Sequence, residues 1–295
     1  RSPPYGGSGA VATGLGIALA ERGHEVHFIT YRQPFRLPSF LPRIFFHEVD
    51  VGRYPLFEFP PYDLALAVRM HEVVRTHGLE LLHCHYAIPH ATTAWLAREM
   101  LRGQIPLKVI TTLHGTDITL VGQESSFYAI TKFSIERSDE VTAVSAFLKD
   151  ETYRAFGCVS CDLRVIPNFV NLQEYAPSAS PERELAPAGH KIISHISNFR
   201  EVKRVKDVVR VFARIRRAMP ATPLMTGDGP EPVDAHPEAG SRGLAEDVRV
   251  PGRPHRPASL PQAPDPPRPP SHRHLFRPAP LELLVDNADF YRTYR

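Results

Sequence analysis

Apolar residues along this chain recur with two alternating periods. Short apolar runs fit strands, and longer runs with apolar positions three and four apart fit helices. Over roughly the first 170 residues the two alternate, which predicts a mostly parallel sheet with crossover helices. Ala10–Arg22 reads as a helix, and Val26–Thr30 as a strand after the turn Arg22-Gly23-His24. Asp63 is placed to cap a helix running to about Thr76, stopped by Gly78, with Leu64, Ala67, Val68 and Val74 on one face. Leu79–His83 reads as the next strand, and His85–Arg102 as a loop followed by a helix. Leu107–Leu113 is a strand, Phe127–Arg137 a helix and Glu140–Val144 a strand. Ser145 is the expected N-cap of a helix Ala146–Phe156, and Leu163–Ile166 is a strand broken by Pro167.

The pattern then changes. Tyr175–Gly189 is rich in Pro, Ala and Ser and reads as a linker. A second strand–helix alternation follows, with Lys191–His195 a strand, Asn198–Arg204 a polar loop, Val205–Met219 a helix and Pro223–Thr226 a short strand. From Pro230 to Pro280 there are fourteen of the chain's 30 prolines, so helix and central strand are excluded there. The expected fold class is α/β with two Rossmann-like domains, the first lacking its first strand and the second incomplete. The boundaries are 1–175, a linker 176–189, the start of a second domain 190–231, and an aberrant or disordered Pro/Arg-rich remnant 232–295.

Composition narrows the function classes. Apolar residues make up 42% of the 295, enough for a sizeable core. The net charge of +3 is small and its basic residues are dispersed, which argues against a nucleic-acid surface. No apolar run reaches the ~20 residues of a membrane span. No secretory leader is read, and the chain opens on Arg1, with the strand expected before its first glycines missing. Three cysteines do not make a disulfide framework, which fits a reducing cytoplasm. Cys158 and Cys161 have the spacing of a redox or zinc half-site, but no second ligand pair accompanies them.

Candidate chemistry gathers where strands should end, which is where open α/β sheets bind ligands. Gly6-Gly7-Ser8-Gly9 offers backbone N–H groups at a helix N-terminus, suited either to an anion or simply to a tight turn. His83, His85 and His90 cluster at one strand end; hydrogen bonding or substrate contact suits them better than zinc, because no carboxylate stands with them. His114, in the turn Thr111–Asp117, is either a structural histidine or one that binds a substrate oxygen. Arg200 and Lys203 are either a solvated basic loop or a diphosphate clamp, Arg by a bidentate fork and Lys as a point charge.

Together these strings resemble a known family. Tyr5–Gly9, His24–Thr30, Pro34–Leu37, His83–His90, Thr111–Thr119, Val141–Ser145, Ile166–Phe169 and Ser197–Arg204 are similar to the N-acetyl-α-D-glucosaminyl L-malate synthases. These are retaining glycosyltransferases of the two-domain GT-B type that start bacillithiol biosynthesis. The resemblance covers nearly all of residues 5–231, and its most specific strings are HGTDIT and SNFR-x-VKR. It implies an N-terminal domain that binds L-malate and a C-terminal domain that binds UDP-N-acetylglucosamine, with no metal or other cofactor. A homo-oligomer stays open. Gly6, Gly7 and Ser8 would belong to the glycine loop, and Tyr86, Thr112, His114 and Asn168 to the acceptor side. Arg200 and Lys203 would clamp the diphosphate, Gly227 and Gly229 would match the donor-side turn, and Asn198 would be a further substrate-binding residue. In such enzymes the departing diphosphate takes the acceptor's proton, so no carboxylate nucleophile is needed.

The tail departs from that family. Gly243–Arg249 still resembles it, but beyond Arg253 the residues become Pro, Arg and His. His274 and Glu282 keep the spacing of the family's paired donor-side glutamates, with His274 in the first position. A reading-frame error or a decayed gene accounts for this. The competing class is a non-catalytic acceptor-binding remnant. A nucleotide-dependent dehydrogenase ranks last, because no clean G-x-G-x-x-G is present.

Overall fold

The computed structural model describes residues 7–34, 37, 40–52, 60–157, 162–172, 186–197, 199 and 201–226. The chain divides between Val170 and Asn171 into two compact units.

The first unit opens with helix α1, Gly7–Glu21, followed by strands β1, Val26–Thr30, and β2, Ile44–Glu48. Helix α2, Tyr62–His77, leads into β3, Leu81–His85. A broken helical turn, Ala87–Ala91, runs into α3, Thr92–Met100. Then come β4, Lys108–Leu113; α4, Thr116–Thr119; α5, Tyr128–Glu136; β5, Glu140–Ala143; α6, Ala146–Phe156; and β6, Leu163–Val165. Strands β1 and β2 form one parallel pair, and β3-β4-β5-β6 form a parallel sheet in that order. His85 pairs with Thr112 in the register, so the strand ends of β3 and β4 lie side by side.

Two buried clusters hold this unit. In one, helices α2 and α3 bring Leu66, Met70, Val74, Ala94 and Ala97 onto Leu82, Cys84 and Val109 of the sheet. In the other, Ile118, Ile135, Leu148 and Phe156 pack with Leu113, Val141 and Leu163. Each fully buried aliphatic side chain there contributes about 1.5–3 kcal/mol of transfer free energy. Ser145 caps α6 as expected, its Oγ accepting from Leu148 N at 3.2 Å. Gly78 ends α2 in the left-handed region, at φ 63° and ψ 38°.

Several expectations need correction. Helix α1 begins at Gly7 rather than Ala10, so Gly7, Ser8 and Gly9 form its first helical turn instead of a loop. Gly16 is needed for close packing: a Cβ there would sit 2.4 Å from Cζ of Phe28. Strand β2 is absent from the expected elements, because His47 and the exposed Phe45 blur the alternation of its five residues. In α2 the N-cap is Pro61, and Asp63 lies in the first turn. The buried face is Leu66, Ala67, Met70, Val73 and Val74, while Leu64 and Val68 are about half exposed. Strand β3 runs two residues later than expected, which brings His85 inside it.

The second unit is described over β7, Lys191–Ile196; a short 3-10 turn, Glu201–Lys203; α7, Val205–Ala218; and β8, Ala221–Thr226. Strands β7 and β8 pair in parallel, with α7 as the crossover. Val205, Val209 and Phe212 of α7 bury against Phe199 and Met225. The expected linker lies mostly outside the described residues, as do Cys158, Cys161 and the Pro-rich stretch 232–280.

Candidate active site

Three chain segments meet at the strand ends of the first unit. The Tyr86 hydroxyl donates to Ser8 Oγ at 2.8 Å, joining the first turn of α1 to the end of β3. His85 Nδ1 lies 2.9 Å from His114 Nε2, joining β3 to the turn after β4. The rings of His83 and His85 stack at 4.8 Å, those of His85 and His114 at 5.1 Å, and Tyr86 tilts against His114 at 5.1 Å. The register explains the row: residues two apart on β3 face the same side, and His114 follows the neighbouring strand.

The imidazoles are held neutral. Burial lowers His114 to about 4, with the nearby His83 adding to the shift. Burial lowers His85 to about 3, helped by His83, His114 and His90. His90 is lowered by burial, and its Nδ1 donates to the His85 carbonyl at 2.5 Å. At neutral pH the row therefore presents hydrogen-bonding rings rather than cations. Nε2 of His114 is committed to His85, while Nδ1 has no hydrogen bond among the described residues.

Two supporting residues were not singled out from the sequence. Asp117, 2% exposed, accepts from Ala87 N at 3.1 Å through Oδ2, and from Gly115 N at 3.0 Å and His114 N at 3.3 Å through Oδ1. It thus ties the two strand-end loops together, and burial raises its carboxyl above the usual range against those three donors. The available signal was an Asp two residues after a turn glycine, a common side-chain-to-backbone arrangement. Thr142 is the other, its Oγ1 lying 2.7 Å from Thr112 Oγ1. Tyr86 itself holds φ at 87°, a region that favours glycine and costs a side-chain-bearing residue about 1–3 kcal/mol. Such conformations cluster at ligand sites.

The other expected residues divide. Thr112 is buried, and its hydroxyl meets His83 Nε2 at 2.8 Å as well as Thr142, so it supports the histidine row from beneath. Asn168 is exposed on the loop after β6, next to Phe169, whose ring lies 3.5 Å from where a Cβ on Gly14 of α1 would sit. In the second unit Lys203 lies near His195 at the end of β7; burial lowers His195, and the Lys203 charge lowers it further. His195 Nε2 is 2.8 Å from Ser197 Oγ. Gly6, Asn198, Arg200, Gly227, Gly229, His274 and Glu282 lie outside the described residues.

The model of Glycosyltransferase Family 4 matches residues 5–174, more than half of the chain. The chain belongs to that family. It is 49% identical, over 232 residues, to the N-acetyl-alpha-D-glucosaminyl L-malate synthase of Bacillus anthracis. That match takes in 78% of this chain and 60% of the relative, so the chain spans about 60% of that relative's length. Among solved structures, HepE of Anabaena in complex with UDP-glucose superposes with a TM-score of 0.61 at 16% identity, over 85% of this chain and 66% of that one. Sucrose-phosphate synthase of Thermosynechococcus elongatus gives 0.60 at 20% identity, over 83% and 64%. These likenesses place the fold with the GT-B glycosyltransferases, as expected. Among the described residues no helix is long and apolar enough to cross a membrane.

Proposed function

We propose that this chain carries the acceptor half of a retaining glycosyltransferase that moves N-acetylglucosamine from UDP-N-acetylglucosamine to the hydroxyl of L-malate, the first step of bacillithiol biosynthesis. The observation that carries the reading is the Tyr86–Ser8 hydrogen bond, which sets the N-terminal turn of α1 beside the row of neutral imidazoles. The N–H groups of that turn favour a carboxylate. The free Nδ1 of His114 can bind a second oxygen of the same small acid without adding a charge. The Asp117 carboxylate is turned onto backbone N–H groups and does not repel an anion directly. The likeness to the malate synthase supports malate as the acid and N-acetylglucosamine as the transferred sugar.

In the proposed transfer the C1–O bond to the diphosphate breaks as the malate hydroxyl oxygen bonds to C1 on the same face. The hydroxyl proton passes to the departing diphosphate oxygen, so no protein base is consumed. Arg200 and Lys203 stabilise the charge that develops on the diphosphate, with Asn198, Gly227, Gly229 and Glu282 assigned to the donor. His114 and Ser8 hold the acceptor.

Calorimetric titration of L-malate into the chain tests the acceptor assignment. Binding that is weakened by Ser8→Ala and by His114→Ala is expected. Equal binding of unrelated hydroxy acids, or none of malate, overturns it. Transfer itself is read as UDP release in a form with a complete donor unit, where Lys203→Ala should weaken UDP binding.

A further inference from the structure

A second group of histidines lies away from this site. His27 of β1, His47 of β2 and His77 of the last turn of α2 each turn a ring nitrogen toward the others, all within 4.8 Å. His27 Nδ1 and His47 Nε2 are 2.7 Å apart, and the rings of His27 and His77 lie 4.4 Å apart. We propose that His27, His47 and His77 form a site for a zinc-class divalent transition ion that pins α2 to the β1–β2 pair.

The ligand chemistry selects the ion. Three imidazoles without a carboxylate suit zinc, copper or nickel, and not magnesium or calcium. Zinc–nitrogen bonds of about 2.0–2.1 Å place tetrahedral ligand atoms roughly 3.3 Å apart. The His27–His47 pair must therefore open slightly and His77 must close, which its exposed side chain can do. Water would fill the fourth position.

The surroundings already resemble a metal site's outer shell. Glu25 Oε1 lies 2.8 Å from His27 Nε2, so the carboxylate holds the proton there and leaves Nδ1 as a lone pair. In the ion-free chain His47 Nε2–H then donates to His27 Nδ1. Binding needs His47 to move that proton to its own Nδ1, with no net release. The C-terminal end of α2 adds a partial negative charge. Two cations oppose it: Arg69, which faces His47 but bonds Glu72 at 3.1 Å, and Arg75 in the last turn of α2. His27 is the second residue of β1, His47 the fourth of the five in β2, and His77 ends α2 ahead of β3, so the site shares no residue with the candidate active site. Its role is structural.

The test uses the 295-residue chain, stripped with a chelator and titrated with zinc chloride alone by calorimetry and equilibrium dialysis. One ion per chain is expected, with a zinc-dependent rise in melting temperature. His77→Ala should weaken binding roughly tenfold or more and abolish the rise, whereas His77→Cys, which keeps a ligand, should restore both. Glu25→Gln should weaken binding about tenfold. His71→Ala and His114→Ala should bind as the parent does. Equal melting temperatures of parent and His77→Ala in chelator would show that the fold is intact. If that variant is already destabilised, Glu25→Gln and His77→Cys decide. Zinc affinity unchanged in His77→Ala, or lost in His114→Ala instead, overturns the proposal.

Discussion

The first unit contains two groups of histidines, and they are built in opposite ways. In the row at the ends of β3 and β4, protein atoms occupy nearly every ring. His83 meets Thr112, His85 meets His114, and His90 meets a backbone carbonyl. Its members come from two short segments, 83–90 and 114. In the group at β1, β2 and α2 the rings chiefly meet one another, with Glu25 as the outside partner of His27 and Phe45 stacked on it at 4.8 Å. Its members are spread over fifty residues of sequence, from 27 to 77. A wired row ties one nitrogen of each ring to protein atoms and leaves the other, as at His114 Nδ1, for a small organic ligand. An inward-facing trio leaves room for an ion.

The sharpest way to break this contrast is Asp117→Ala. Three backbone N–H groups in the loops of the wired row would lose their acceptor, each worth about 1–3 kcal/mol when left unmade in a buried place. A loss of roughly 2–4 kcal/mol in denaturant stability is expected, because relaxation and water recover part of that sum. Malate binding should disappear with it. Zinc binding, measured under native conditions, should survive, since among the described residues no hydrogen bond or ring contact joins these loops to His27, His47 or His77. Loss of both activities at once would mean that the two groups are a single cooperative structure.

Acid should act on both groups, with a sign fixed by the direction of the shifts. His85, His114 and His47 are lowered to about 3, about 4 and about 4, so below pH 6.5 the unfolded chain takes up protons before the folded one does. Stability is complete above about pH 6.5 and falls as the pH drops toward 4, by up to about 1.4 kcal/mol for each pH unit at the buried His85 and His114 rings and by less at the more exposed His47, where solvent screens the effect. The contributions are not additive, because protonating one ring of a row opposes protonating the next. Asp117 runs the other way, since its raised carboxyl is neutralised early. Bound zinc should protect β1 and β2 across this window and leave β3 and β4 as acid-sensitive as before. Amide exchange at pH 5 with and without zinc would read this. Uniform protection of all four strands would remove the distinction.

The same contrast separates what the sequence made legible from what it did not. The alternation of apolar runs identified seven of the eight described strands, and the Ser145 cap and Gly78 stop were readable from local chemistry. The string Thr111–Asp117 put Thr112 and His114 at a strand end because its residues are neighbours in the chain. Ser8 and Tyr86 were both named, but their hydrogen bond spans 78 residues and only packing reveals it. Asp117 was visible as a turn residue; its grip on Ala87 was not, for it depends on the β3–β4 register. The trio of His27, His47 and His77 left no local signature. It exists because β2 pairs with β1 and α2 returns across them, and β2 was the strand the pattern missed.

A smaller effect is expected where α1 meets the wired row. Tyr86→Phe and Ser8→Ala each remove one neutral hydrogen bond, worth about 0.5–1.5 kcal/mol. Fold stability should fall by no more than that. Malate affinity should fall further in Ser8→Ala, because the hydroxyl is proposed to touch the acid, than in Tyr86→Phe, which only orients it. Tyr86→Gly sharpens the point: it relieves the backbone at φ 87° yet removes the ring that lies against His114. Stability near the parent's with malate binding lost would show that the strained backbone is kept for the ring.

The smallest effect should come from Thr112→Val. The change keeps volume and shape but removes an oxygen that lies between His83 Nε2 and the Thr142 hydroxyl. Thr142 is buried and would lose its partner, whereas the His83 ring reaches solvent and can bond water instead. The expected cost is therefore about 1 kcal/mol, set mainly by one buried hydroxyl. Because Thr112 acts on the row from beneath, malate affinity should drop only through a looser His83, by a few-fold and less than in Ser8→Ala. Steady-state binding of malate to both variants at one pH gives the ranking. A larger loss in Thr112→Val than in Ser8→Ala would mean that the threonine hydroxyl turns from His83 to the acceptor when malate binds, and that the row is less firmly wired than its hydrogen bonds suggest.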